Sequence, residues 1–254
     1  MHKETALITG ASSGIGLEMA RIMAAEGHDL VLTARSLSSL NKVKQQITAD
    51  HSDVSVSVHA IDLSVPGSAK KLHAACRKQD VSVLVNNAGA GYVADFFDGD
   101  LQRHNDIAYL NMNSLMQLCH LFGADFKQKG HGKILNVASI AAFLPGPAQP
   151  VYYATKAFVR SLSRALHYDL RGTGVSVTSL HPGVTRTAFF EHADAPDKTK
   201  GADPRDVARL GYQAMMRGRS EVTYGLQNKL LTNLLVRITP YRLQPYLVDK
   251  ASDV

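Results

Sequence analysis

The chain of 254 residues predicts an α/β fold, a single doubly wound parallel β-sheet of seven strands with helices on both faces. Three observations predict it. Short apolar runs alternate with segments of helical period along nearly the whole chain. Several runs are valine-rich and almost continuously apolar, as strands covered on both faces must be. A glycine-rich turn, Thr9 to Gly16, closes the first run and opens the first helical segment.

The predicted strands are 5–9, 29–34, 54–61, 81–86, 133–139, 175–180 and 221–224. The predicted helices lie near 14–27, 37–50, 66–79, 101–129, 151–171 and 204–217. No internal repeat, linker or low-complexity run divides the chain. Residues 1–225 read as one catalytic domain. Residues 226–254 read as a helical tail packed on that domain or on a partner subunit. Residues 187–203 lack periodicity and read as a lid or mobile loop.

Composition bounds the partners. The net charge is +6 and the pI about 9.3. Part of the surplus lies between 198 and 219, where Lys198, Lys200, Arg205, Arg209, Arg217 and Arg219 outnumber Asp203 and Asp206. No basic–aromatic alternation accompanies that charge, so a solvated helix face is expected and no nucleic acid. Cys76 and Cys119 lack metal or redox spacing and read as buried free thiols in a reducing compartment. No metal site is expected. The N-terminus has no signal-peptide layout and no apolar run is long enough to span a bilayer, so a cytoplasmic location is expected. The tail is apolar but broken by Lys229, Arg237, Pro240 and Arg242. Packing on protein is its expected role, and peripheral membrane contact the less favoured one.

The turn after the first strand has the form Thr-Gly-x-x-x-Gly-x-Gly. Gly10, Gly14 and Gly16 let the backbone approach a pyrophosphate. Ser12, Ser13 and Ile15 surround a helix N-terminus whose free N–H groups attract the anion. The second strand ends in Ala34 and Arg35 rather than in an acidic residue. A carboxylate there would hold both ribose hydroxyls, whereas a guanidinium takes a 2′-phosphate, so NADP(H) is favoured over NAD(H). Asp62 and Leu63 end the third strand, where the carboxylate meets an adenine amine or caps a turn. Asn86, Asn87, Ala88 and Gly89 end the fourth. The small residues allow close backbone approach, and the amides can tie neighbouring strands together.

One stretch, Ser139 to Lys156, carries the chemistry. Tyr152 and Lys156 are four apart and share a helix face. Ser139 ends an apolar strand, so its hydroxyl can converge with that pair at the sheet's active edge. An ammonium about 5 Å from a phenol, at an effective dielectric near 20, contributes about 3 kcal/mol, enough to lower the phenol's pKa by about two units. Asn111 lies mid-helix, where it could distort the helix or hold a water. After the sixth strand, His181 reads as a packed or capping residue. Pro182 and Gly183 turn the chain, and Val184 and Thr187 can meet a nicotinamide carboxamide. Ile140, Phe143, Gln149 and Phe189 are the residues expected to line a mostly apolar substrate surface.

Together these motifs resemble the short-chain dehydrogenase/reductase family in its branch of about 250 residues. Thr9-Gly10-x3-Gly14-x-Gly16, Asp62, Asn86 to Gly89, Asn111, Ser139, Tyr152-x3-Lys156 and Pro182-Gly183 stand in the family's order. A second Tyr-x3-Lys, Tyr246 to Lys250, has Asn233 rather than a hydroxyl thirteen residues upstream and no preceding strand. The resemblance implies a Rossmann-type sheet of order 3-2-1-4-5-6-7, a homodimer or homotetramer, and an Asn111–Ser139–Tyr152–Lys156 tetrad. It implies that Lys156 also holds the cofactor ribose and that Asn111 positions a water. The activity implied is NADP(H)-dependent hydride transfer to or from a small-molecule carbonyl or secondary alcohol (a ketone, a 3-oxoacyl thioester or a steroid-like skeleton). An intact tetrad argues against the alternative from another class, a non-catalytic nucleotide sensor or scaffold of the same fold.

Overall fold

Alternation along each strand sorts the core into two layers. In β1 (Thr5–Thr9), Ala6 and Ile8 face one side and Leu7 the other. The same alternation separates Leu30 and Leu32 from Val31 in β2 (Asp29–Ala34), and Val83 and Val85 from Leu84 in β4 (Val81–Asn86). Both faces must then be covered. In the computed structural model, which describes residues 3–194, 201–246 and 248, they are.

One face packs on α1 (Gly14–Ala25), α2 (Leu37–Asp50) and α8 (Pro204–Met216), through Met19, Met23, Leu40, Val43, Val207 and Met215. The other packs on α3 (Ser68–Ala75), α5 (Leu115–Lys129) and α6 (Pro150–Asp169), through Leu72, Leu118, Phe122, Phe126 and Val159. The remaining strands are β3 (Val56–Ala60), β5 (Gly132–Val137), β6 (Val175–His181) and β7 (Glu221–Thr223). All pairings are parallel and the order is β3-β2-β1-β4-β5-β6-β7, as the resemblance implied. The order reverses between β1 and β4. Loops leaving the C-terminal ends of those two strands diverge there and open a crevice.

Helix ends follow local chemistry. Ser36 accepts from the Ser39 N–H at 3.2 Å to start α2, and Asp203 accepts from the Arg205 N–H at 2.8 Å to start α8. Pro150 and Pro204 occupy first-turn positions, where a missing N–H costs nothing. The helix expected over 66–79 is shorter, because the Pro66-Gly67 turn delays its start to Ser68. The helix expected over 101–129 is not uniform. It runs as α4 (Leu101–Ala108), a π-helical turn at Tyr109–Ser114, and then α5. The described part of the span 187–203 is built from two features. It holds α7 (Phe189–His192), and Thr185 bridges Ala202. Residues 195–200 of that span, with Lys198 and Lys200, lie outside the described residues.

The tail beyond β7 forms α9 (Leu226–Leu230), a π turn at Leu231–Leu235, α10 (Val236–Ile238) and a 3-10 turn at Tyr241–Leu243. Leu226, Ile238 and Tyr241 stay exposed. Lys250, of the second Tyr-x3-Lys, lies outside the described residues. No helix among the described residues is long and apolar enough to cross a membrane. Both cysteines are buried and unpaired, and burial pushes each thiol up to about 12.

A buried amide chain ties the second face together. Asn86 Nδ2 donates to Asn136 Oδ1 at 2.9 Å and approaches Cys119 Sγ at 3.3 Å, and Asn136 Nδ2 donates to Ser163 Oγ at 2.9 Å. The amides at the fourth strand thus do link its neighbours. Asn136→Ala leaves Asn86 and Ser163 short of partners in the interior, and a stability loss of about 1–3 kcal/mol is expected. Urea unfolding checks this, and an unchanged midpoint would remove the amide chain from the account of stability.

Candidate active site

The turn after β1 is held from the neighbouring strand. Thr9 Oγ1 accepts from the N–H groups of Asn87 and Ala88, each at 2.9 Å. Asn87 Nδ2 donates back to the Thr9 carbonyl at 2.9 Å and the Gly10 carbonyl at 3.2 Å. Gly16 must lack a side chain, since a Cβ would stand 2.3 Å from the Gly10 carbonyl oxygen. Gly14 has φ +54, and a Cβ there would meet Thr187 Cγ2 at 2.8 Å. This close approach brings the Pro182–Thr187 loop over the glycine turn. Ser13 precedes α1 with extended backbone and spends no side-chain bond on the helix, so the first turn's N–H groups stay open to an anion.

Around this turn stand the other predicted nucleotide contacts. Arg35 lies exposed, one residue beyond the end of β2. Asp62 Oδ1 accepts from Ser64 N at 2.9 Å and Ser64 Oγ at 2.7 Å, so of its two expected roles the turn cap is the one made by the protein itself. The Leu63 carbonyl accepts from Ser114 Oγ. The Val184 carbonyl is taken by Ala202 N at 2.9 Å. Gly183 lies against the tail, with a virtual Cβ 2.3 Å from Asn228 Nδ2.

Ser139, Tyr152, Lys156 and Asn111 come together, Ser139 following β5 and the pair riding the first turns of α6. Lys156 is 5 % exposed, and its Nζ donates to the Val137 carbonyl at 2.9 Å and stands 5.7 Å from the centre of the Tyr152 ring. Ser139 Oγ accepts from Ala141 N at 3.1 Å and stands close enough to Tyr152 to lower its phenol. Asn111 is almost fully buried at the π turn. It bonds Ala90 twice, accepting from N at 3.0 Å and donating to O at 2.9 Å, and donates to Thr155 Oγ1 at 3.0 Å. Thr155 in turn donates to the Tyr152 carbonyl at 2.7 Å. Asn111 thus lies within the π turn, tied by its side chain to Ala90 and Thr155. Its side-chain amide is bonded to protein partners on both its oxygen and its nitrogen.

The electrostatics differ from the simple ion-pair expectation. Burial pushes the Tyr152 phenol up to about 12, against a smaller lowering by Ser139, and Lys156 is not among the groups that shift it. The reason is mutual desolvation. Burial drives the Lys156 ammonium itself down to about 8, so both groups are pushed towards neutrality.

Of the expected substrate residues, Phe189 lies tilted against Tyr152 with ring centres 5.3 Å apart, and it closes on Gly91. Gln149 Oε1 also faces Gly91, is buried, and has no hydrogen-bond partner among the described residues. Ile140 N donates to the Pro182 carbonyl at 2.9 Å. Phe143 packs under the Arg160 guanidinium, 3.9 Å from its ring centre, and against His181. Sequence reasoning missed Thr155 and Asn228. Thr155 stands inside the Tyr-x3-Lys spacing, which was a usable signal, whereas nothing in the pattern around Asn228 announces its contact with Gly183.

Comparison with known proteins agrees with this fold. The family model for short chain dehydrogenases matches residues 4–198. A 2-dehydro-3-deoxy-D-gluconate 5-dehydrogenase of Bacillus subtilis is 32% identical over 186 residues, covering 73% of this chain and 72% of that one. A short-chain dehydrogenase from Sphingobium yanoikuyae, solved in complex with NADPH, superposes with a TM-score of 0.85 at 28% identity, over 99% of this chain and 96% of that one. A bulky-bulky ketone specific alcohol dehydrogenase from Comamonas testosteroni gives a TM-score of 0.81 at 26% identity, over 100% and 93%. With the matched stretch covering well over half its length, this chain belongs to the short-chain dehydrogenase/reductase family of oxidoreductases.

Proposed function

We propose that the protein is an NADPH-dependent carbonyl reductase acting on a small ketone with an apolar flank. The observation that carries this reading is the convergence of Ser139, Tyr152 and Lys156 beside the glycine turn, with Phe189 against the tyrosine ring. The residues present fit a dinucleotide. Gly14 and Gly16 leave the space that a Cβ would fill, and the open N-terminus of α1 suits a pyrophosphate. Gly10, Ser12, Ser13 and Ile15 would hold that group. Arg35 would take a 2′-phosphate, and Asp62 and Leu63 would border the adenine. Asn87, Ala88 and Gly89 would line the ribose path, and Pro182, Gly183, Val184 and Thr187 the carboxamide. The NADPH complex of the Sphingobium relative supports this choice of cofactor.

When bound, the nicotinamide supplies the hydride. The chain's own residues manage the oxygen. Tyr152 donates its proton to the developing alkoxide, and Ser139 hydrogen-bonds the same oxygen and orients it. Lys156 sits where its charge stabilises the phenolate left behind, and a tyrosinate that costs too much in the dry site is the state it must rescue. Asn111 and Thr155 hold the start of α6 against the Ala90 loop and so keep Tyr152 in position. Gln149 offers one buried acceptor within an otherwise apolar surface, which suits a ketone carrying a hydroxyl near its carbonyl. A cytoplasmic homo-oligomer, with residues 1–225 as the catalytic domain, completes the reading.

Tyr152→Phe is expected to lower kcat at least about a hundredfold while leaving NADPH affinity intact. Full turnover by this variant, read from NADPH absorbance over a panel of ketones, would sink the assignment of the acid. Arg35→Ala is expected to shrink the NADPH-over-NADH ratio of kcat/KM at least about tenfold. An unchanged ratio would overturn the choice of NADP(H). The kcat/KM for NADPH reports the free enzyme. Lys156 is charged below its depressed value of about 8 and neutral above it, so this parameter is expected to fall as the pH rises through about 8. A limb near 12 instead would mean that Tyr152 alone titrates.

A further inference from the structure

The tail beyond β7 is turned inside out. Among its described residues the buried side chains are Thr232, Gln244 and Val248, two of them polar. Thr232 Oγ1 donates to the Asn228 carbonyl at 2.9 Å. Gln244 Nε2 donates to the carbonyls of Val236 and Thr239, at 3.2 and 3.3 Å, and so holds the 3-10 turn back against the helical run before it. The exposed side chains include the large apolar ones. Leu226, Leu230, Leu234 and Ile238 recur every fourth residue and are 83%, 53%, 49% and 66% exposed. Leu235, Tyr241, Leu243 and Tyr246 are exposed as well. A helix that meets only water on its outer side keeps its apolar stripe inward. Single exposed leucines need no explanation, but this concentration in one short segment does.

The charge on the tail has one sign. Lys229, Arg237 and Arg242 are all exposed, and no acidic residue stands between Glu221 and Asp249 in the sequence. Arg237 also comes near enough to Arg160 of α6 to repel its charge, as does the exposed Arg164. The tail and the adjoining part of α6 thus combine apolar groups with cations.

That combination selects the partner. Water suits the cations and not the leucines. A second copy of this chain in a two-fold contact would meet the patch with itself and set these cations against their like. An anionic bilayer answers both demands, because apolar side chains enter the boundary between headgroups and acyl chains while the cations stay with the phosphates. Tyrosines such as Tyr241 and Tyr246 settle at the same depth. No helix among the described residues is long and apolar enough to cross a membrane, so such contact lies in the plane of the surface.

We propose that residues 226–246 are a docking surface for an anionic lipid bilayer, with Leu226, Leu230, Leu234 and Ile238 entering the lipid and Lys229, Arg237 and Arg242 meeting the headgroups. Asn228 of α9 lies against Gly183, so docking holds the edge of the sheet that carries the candidate site close to the lipid. The proposal stands apart from the catalytic reading.

Co-sedimentation of the full chain with vesicles tests it. Vesicles of equal parts phosphatidylglycerol and phosphatidylcholine are expected to bind at least about tenfold more tightly than phosphatidylcholine alone, and less so as salt rises. The chain is basic overall, so charge-matched variants decide between the tail and the surface at large. Lys229→Gln/Arg237→Gln/Arg242→Gln and Leu230→Ser/Leu234→Ser/Ile238→Ser are each expected to weaken binding at least about fivefold, and Lys70→Gln/Lys71→Gln/Lys78→Gln, at and beyond α3, less than about twofold. The chain has no tryptophan, so Tyr241→Trp is a lone reporter that keeps the leucines and cations in place. Its emission is expected to move to shorter wavelength on the anionic vesicles and to stay unchanged on phosphatidylcholine. Equal binding to the two vesicles overturns the proposal, as does an equal loss in the Lys70/Lys71/Lys78 variant. So does a tryptophan already shifted without vesicles that reverts on dilution, because that marks a second copy as the occupant. Should the serine variant not fold, the tryptophan emission still decides.

Discussion

The Thr9 hydroxyl is the point on which the site depends. Strands β1 and β4 are neighbours, and their following loops must diverge because the sheet order reverses between them. Divergence alone would leave two unrelated loops. Thr9 Oγ1 accepts the N–H groups of Asn87 and Ala88, and Asn87 returns its amide to the carbonyls of Thr9 and Gly10. Four short bonds in a partly buried setting make the glycine turn and the Asn87–Gly89 loop one rigid piece. Gly89 in turn lies against Asn111 Oδ1 and Lys156 Nζ, so the glycine turn and the Ser139–Tyr152–Lys156 cluster share a wall.

The second governing fact is dryness. Tyr152 and Lys156 are pushed in opposite directions, each towards its uncharged form, because burial penalises phenolate and ammonium alike. A pair at the same separation in water would interact weakly. Here the same low dielectric that raises the cost of each charge also strengthens their attraction once both exist.

What could be read in the sequence depended on how local the cause was. Strands β1, β2 and β4 have the predicted ends, because an apolar run bounded by turn residues reports burial directly. The approach of Lys156 to Tyr152 was legible because four residues on a helix have one geometry. The π turn at Asn111 was not, since its cause is a set of bonds to Ala90 and Thr155, residues remote in the chain. Phe143 illustrates the same limit. Its place under Arg160 depends on where Glu221, on a later strand, draws that guanidinium. Lys156 was expected to act chiefly on Tyr152, and the interior surrounding both proved the stronger influence.

The π turn also has a bearing on how this chain can change. A widened turn accommodates about one extra residue, and each residue rotates a helix by about 100°. Leu101–Ala108 and Leu115–Lys129 are thus keyed to one another in rotation, like two halves of a shaft joined by an offset coupling. Removing one residue near Asn111 would restore a regular helix but swing either Leu118 and Phe122 out of the core or His104 and Ile107 off theirs. Length is consequently frozen across this helix. Insertions and deletions must go to the loops or to the tail, where nothing has to keep step with the sheet.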